Sequence, residues 1–157
     1  MAQEAVIRKA SFSDASSIAE LWKELMDLNK QYDERFTRSK AGHDEFISFI
    51  NDHAEDKDCH ILVAEADEDI VGYCAALIGP CMGLQIQRYG HICNLCVKGK
   101  YQNKGIGKKL LEETVDWFRQ NGISRVEVCV ARANNSAENF YTKMGFTPYV
   151  KTLCLEI

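Results

Sequence analysis

Apolar residues change their spacing several times along the chain, and each change marks an element. Val6 to Ala10 reads as a first strand, after which Ser13 can cap a helix carrying Ile18, Leu21, Trp22, Leu25 and Leu28 on one stripe. Asn29 to His43 is polar and weakly patterned and reads as a mobile flap; Phe46, Ile47 and Ile50 then suggest a shorter second helix. His60 to Glu65 and Ile70 to Ile78 read as two strands of a hairpin joined by Asp67-Glu68-Asp69, with Gly79-Pro80 ending the second. His91 to Val97 is a further strand. A lysine- and glycine-rich turn follows and leads into a helix from about Gly105 to Asn121, with Ile106, Leu110, Leu111, Thr114, Trp117 and Phe118 on one face and Gly122 as its stop. Arg125 to Ala131 returns as a strand. Asn134 or Asn135 then caps a helix bearing Ala137, Phe140, Tyr141 and Met144, Gly145 closes it, and Tyr149 to Ile157 reads as a final strand.

Together these elements predict an α/β (α+β) fold, a mixed sheet with helices on both faces. The 157 residues, 46% of them hydrophobic, suit one domain over 1–157, and with Pro80 and Pro148 as the only prolines nothing reads as a linker. No run of about 18 apolar residues occurs, and the opening residues lack a basic region followed by an apolar one, so neither a membrane span nor an export signal is expected. Seven cysteines at irregular spacing fit reduced thiols in the cytoplasm better than a disulfide framework. Cys93 and Cys96 form a lone C-x-x-C; on a regular strand they would point to opposite faces and could not share a metal, so no metal site is expected.

The net charge of −4 argues against nonspecific nucleic-acid or membrane binding. Locally the balance reverses, because Lys98, Lys100, Lys104, Lys108 and Lys109 fall in a stretch without acids. One cationic site in an acidic chain points to a small anionic ligand.

Gln102-Asn103-Lys104-Gly105-Ile106-Gly107-Lys108 lies between a strand and an amphipathic helix. Glycines let the backbone approach an anion, and the helix's first N–H groups face it at the favourable end of the macrodipole. A diphosphate fits such a turn. A Walker A loop is excluded, since Lys109 follows Lys108 where Ser or Thr is needed and Gln102 occupies the first glycine's place. A dinucleotide fingerprint fails as well, with Leu110 at its third glycine.

The run Q-x-x-G-x-G at Gln102, Gly105 and Gly107, followed about thirty residues on by Asn134, Ala137, Tyr141, Gly145 and Phe146 in N-x-x-A-x-x-x-Y-x-x-x-G-F, resembles the GNAT superfamily of acyl-CoA-dependent N-acetyltransferases. The match is strongest over roughly His91 to Phe146. It implies a mostly antiparallel central sheet of six to seven strands flanked by about four helices. It also implies transfer of an acetyl group from acetyl-CoA to an amine of a small molecule or peptide, by direct attack in a ternary complex. Gln102, Asn103, Lys104, Gly105, Ile106, Gly107 and Lys108 would hold the pyrophosphate, Leu95, Cys96 and Val97 would pair with the pantetheine arm, and Asn134 would contact that arm too. Tyr141 would protonate the departing sulfur, as a hydroxyl of pKa about 10 can do for a thiolate whose acid is near 8.5.

Many relatives carry a glutamate on the strand before the loop, where this chain has Cys93 and Asn94. His91, on the same strand face as Cys93, is a candidate base or relay, and Glu127, Asp33 and Glu34 are candidate partners for a cationic substrate. Cys93 also raises a covalent route in which its thiol takes the acyl group first. The missing glutamate leaves a second reading open, a protein that binds acyl-CoA as a sensor or with a partner and turns nothing over; a homodimer is left open too.

Overall fold

The computed structural model describes residues 4–157, and the first three residues of the N-terminal stretch read above for an export signal lie outside them. Five strands form one sheet in the order β1 (Val6–Lys9), β2 (Cys59–Ala66), β3 (Asp69–Pro80), β4 (Arg88–Val97) and β5 (Val126–Val128). The first four strands pair antiparallel in sequence and β5 joins β4 in parallel. Four α-helices cover the sheet: α1 (Ala15–Asn29), α2 (Gly42–His53), α3 (Ile106–Gln120) and α4 (Asn135–Lys143).

Alternation along the strands divides the core into two layers. Leu62, Ala64, Cys74, Ala76 and Ile92 pack under α3 with Leu110, Leu111 and Phe118 and extend to Tyr141 of α4. Ile61, Val63, Tyr73 and Ala75 face Ile18 and Leu21 of α1 and Ile50 of α2. The stripe on α1 is buried at Ile18 and Leu21 but emerges at Leu28, where the helix outruns the sheet. Its start also differs from the Ser13 cap expected. Ser13 lies in a short turn of 3-10 helix, Phe12–Asp14, and the closure is made by Ser11, whose N–H and hydroxyl both donate to Asp14 Oδ2.

The expected sheet of six to seven strands is reduced to five. β5 is cut from the expected Arg125 to Ala131 to three residues, and Tyr149 to Ile157 forms no strand. Alternating apolar residues make a strand only where the backbone pairs with an edge, and among the described residues no backbone hydrogen bond joins that segment to one. The hairpin between β2 and β3 turns on Asp67 and Glu68, both at positive φ, with Asp69 already in the ladder opposite Ala66. The stretch expected as a mobile flap begins in α1, ends in α2, and is tied down between them. Asp33 accepts from Arg35 N, and Arg38 reaches back to both oxygens of Asp27 at 2.9 and 3.1 Å.

Candidate active site

The most consequential irregularity is in β4. Its pairing with β3 slips between Ala75 and Ala76, leaving Cys93 as an extra residue between the pairs Ala76–Ile92 and Ala75–Asn94. The bulge overturns the expectation that Cys93 and Cys96 point to opposite faces: both pack in the α1/α2 layer, while Ile92, Leu95 and Val97 belong to the α3 layer. The bulge also marks where the sheet opens. β5 pairs with Gly90, His91 and Ile92 only, so β4 from Cys93 to Val97 carries no strand on that side. The thiol of Cys96 donates to Leu21 O of α1 at 3.6 Å.

Beyond Val97 the chain makes a short turn of 3-10 helix, Gly99–Tyr101, whose end is fixed when Gln102 Nε2 donates to Val97 O at 2.9 Å. Asn103 and Gly105 then adopt φ of 59° and 80°. Gly105 is the N-cap of α3, carries no side chain to close it, and has open space where a Cβ would project. Among the described residues the backbone N–H groups of 103–108 donate to no carbonyl or side chain, and the first bond of the helix runs from Lys109 N to Gly105 O. Ile106 anchors the turn in the core, and Gly107 faces Val97 and Phe140, which places α4 beside the helix start. The lysines are less committed to this cradle than their sequence spacing suggests. Lys108 pairs with Glu112, Lys109 with Glu4, and Lys100 and Lys104 lie over the Tyr101 ring. The donors here are the backbone amides and the helix dipole.

Asn134, of the two candidates, caps α4: its Oδ1 accepts from Ala137 N at 3.1 Å. The cap uses the oxygen and leaves the side-chain NH₂ free to donate elsewhere. Tyr141, about two turns further along α4, is buried between Phe140 and Phe146 in edge-on contacts of 5.2 and 5.4 Å. Burial pushes its hydroxyl pKa well up, which keeps the proton on it. The parallel register sets His91 of β4 opposite Glu127 of β5, at the root of the opening. Burial raises the Cys93 thiol to about 11 and Cys96 to about 12. Neither thiol is poised as a thiolate. Among the described residues no group of three or more His, Cys, Asp or Glu side chains is placed to hold a metal ion.

On the α1/α2 layer a cavity of about 360 Å³ opens between the helices and the 30–41 connection, walled by Trp22, Phe36, Phe46 and Glu45. Phe46 stacks on Trp22 at 4.9 Å and reaches Tyr73, the β3 neighbour of Cys96. The cavity floor therefore lies against the strand pair that carries the bulge.

The model of the Acetyltransferase (GNAT) family matches residues 22–146. The chain belongs to that family. Curated relatives include the uncharacterized N-acetyltransferase YhfO of Bacillus subtilis, 27% identical over 140 residues that make up 89% of this chain and 88% of the relative. The uncharacterized N-acetyltransferase YobR of the same organism is 32% identical over 63 residues, 40% of this chain; that match spans only 26% of the relative's own length. Among solved structures, a predicted acetyltransferase from Clostridium acetobutylicum with acetyl-CoA superposes with a TM-score of 0.79 at 19% identity, covering 97% of this chain and 96% of that one. At that identity the likeness is one of fold.

In this GNAT chain three features of the site escaped the sequence reading. The bulge at Cys93 depends on the register of two strands. Tyr73 sits mid-strand in an apolar run, yet its hydroxyl is buried with no hydrogen-bond partner among the described residues. Glu127 was read as one acid among several, and only the parallel pairing places it beside His91.

Proposed function

We propose that the chain transfers an acetyl group from acetyl-CoA to the amine of a small molecule or peptide by direct attack in a ternary complex. The observation that carries this reading is the row of free N–H groups over 103–108 beside the unpaired stretch of β4. A diphosphate matches the first and an amide-bearing arm matches the second, so the residues fit coenzyme A. The Clostridium acetobutylicum protein, solved with acetyl-CoA, supports the same choice.

When bound, acetyl-CoA supplies a thioester as the acyl donor. Gln102 to Lys108 hold its diphosphate, Leu95, Cys96 and Val97 offer β4 edge groups to the arm, and the free NH₂ of Asn134 donates to it as well. Trp22, Phe36 and Phe46 present aromatic faces to a cationic amine and Glu45 a carboxylate, while Arg35 and Arg38 of the same lining are ion-paired with Asp33 and Asp27. An amine must shed its proton before it attacks, and His91, whose register partner Glu127 is itself ion-paired with Arg125 at 3.5 Å, accepts it directly or through water. Tyr141 delivers a proton to the departing sulfur. The raised pKa of Cys93 starves a covalent thiol route of its nucleophile, which favours direct attack.

Initial rates of thiol release from acetyl-CoA across a panel of amines test this reading. Release that depends on the amine, with intersecting reciprocal plots, is expected; parallel plots would indicate the Cys93 route. Tight coenzyme A binding with no turnover on any amine would favour the sensor reading.

A further inference from the structure

Tyr73 of β3 carries a group to which neither the fold nor the chemistry above gives a role. Its side chain is fully buried, and among the described residues its hydroxyl has no hydrogen-bond partner. A buried hydroxyl without a partner opposes folding, and in an apolar run phenylalanine would pack as well without that cost. Desolvation holds its pKa well above the ordinary value, so the group is a neutral hydroxyl at every working pH. The Phe46 ring at 6.3 Å separates it from the cavity between α1 and α2.

The bulge gives this hydroxyl a polar neighbour. Residues opposed in an antiparallel ladder share a face. Tyr73 stands opposite Cys96 and Ala75 opposite Asn94, and Tyr73, Ala75, Cys93 and Cys96 all pack in the α1/α2 layer. Asn94 therefore projects into that layer too, half-buried beside Cys93, since the extra residue lets two successive side chains share it. The Tyr73 hydroxyl lies within Coulombic reach of Cys96 and Cys93, which bracket Asn94. From Tyr73 to Leu77 and from His91 to Cys96 the two strands carry no acid. Of the charged groups that approach from other elements, Glu24 of α1, near Cys96, and Glu45 of α2 are exposed and screened by water. Arg35 and Arg38 are paired with Asp33 and Asp27, and Glu127 of β5 with Arg125. The floor beside the unpaired edge of β4 is thus polar but uncharged.

We propose that Tyr73 Oη and Asn94 Oδ1 accept the two N–H groups of the attacking nitrogen, and that this chain accordingly takes weakly basic amines, such as the α-amino group of a peptide or amino-acid amide, in preference to alkylamines. The inference rests on the acetyl-transfer reading above. Two neutral acceptors hold the N–H groups of a neutral amine and leave its lone pair to face the acyl carbon, while they offer an ammonium no countercharge. The lone pair forms the C–N bond and the C–S bond breaks. The thiolate takes a proton from Tyr141, the nitrogen sheds its own to His91 or water, and solvent restores Tyr141. A more basic amine reaches its neutral form less readily, whichever group receives the proton. At a pH of about 7.5 roughly a quarter of an α-amino group of pKa about 8 is neutral, against about one part in a thousand of an alkylamine of pKa about 10.4.

Initial rates of thiol release from acetyl-CoA are to be measured with primary amines of similar bulk, graded in pKa from about 8 to about 10.4. At a pH of about 7.5 the wild-type chain should favour the weakest base over the strongest about 100-fold in kcat/KM, and at a pH of about 9 that preference should shrink about tenfold. Asn94→Asp puts a carboxylate into the pair and should move the preference about tenfold toward the basic amines. Tyr73→Phe should raise the KM for the amine about tenfold with coenzyme A affinity unchanged, while the melting temperature holds or rises, because an unpaired buried hydroxyl has gone. The wild-type profile is read whether or not either variant folds. A wild-type chain that prefers the more basic amines overturns this inference and leaves acetyl transfer standing, as do two folded variants with wild-type KM and selectivity. Absence of thiol release with every amine of the series overturns the acetyl-transfer reading and this inference with it.

Discussion

Tyr141 combines two roles that the sequence could only set against each other. It fills the core between Phe140 and Phe146, and its buried hydroxyl holds its proton more tightly than an ordinary tyrosine. Tyr141→Phe keeps the ring and removes the donor. Coenzyme A affinity should stay nearly unchanged while kcat falls about 10²-fold, the usual scale of general acid catalysis. Since the pKa is raised, the donor form persists up to and beyond pH of about 10, so this group should cause no alkaline loss of kcat below that point. A variant with full kcat and reduced thermal stability would leave Tyr141 with the packing role alone. At this scale the sequence was most legible where residue type is dictated by backbone or by chemistry, as with Gly105 at positive φ and Asn134 at a cap. It was least legible for the lysines, whose clustering suggested a charged cradle although several are held by acids and an aromatic ring.

The helices and long strands were legible because each buries one periodic face. α3 shows how tightly that burial is drawn. A Cβ at Gly90 of β4 would come within 2.5 Å of the Phe118 ring, which is fully buried and has no room to withdraw. Gly90→Ala should therefore destabilise the fold by about 1–3 kcal/mol, read from the urea midpoint at constant slope. Unchanged stability would mean that α3 can lift from β4. The bulge at Cys93 and the brevity of β5 were not legible, because both depend on how two strands meet and not on either strand's own pattern. Those two features open the sheet where the proposed arm of coenzyme A would enter.

For the whole molecule, the order of elements and the mixed sheet followed from the sequence, and the strand count did not: Tyr149 to Ile157 forms no strand although β5, only three residues long, leaves its outer edge open. Stability should carry the mark of His60, half-buried on β2 and stacked on Trp117 of α3 at 4.7 Å. Desolvation, and secondarily Lys9, lower its pKa from 6.5 to about 4. The unfolded chain therefore takes up a proton in that window and the folded chain does not, so this contribution is complete above pH of about 6.5 and is lost as pH falls toward about 4. After allowance for solvent screening the loss is about 1–2 kcal/mol, and His60→Phe, which keeps the stack, should flatten the slope of melting temperature against pH. Coenzyme A binding by this chain depends first on the backbone cradle at the start of α3. Titration calorimetry of coenzyme A with the wild-type chain and with Gly105→Glu tests it most directly, since the substitution sets a side chain and a negative charge at the open position, with Gly105→Ala as the control for the strain that any side chain meets at a φ of 80°. Binding by the wild type and a loss of about 100-fold or more in the variant is the predicted result; equal affinity in the two would contradict it.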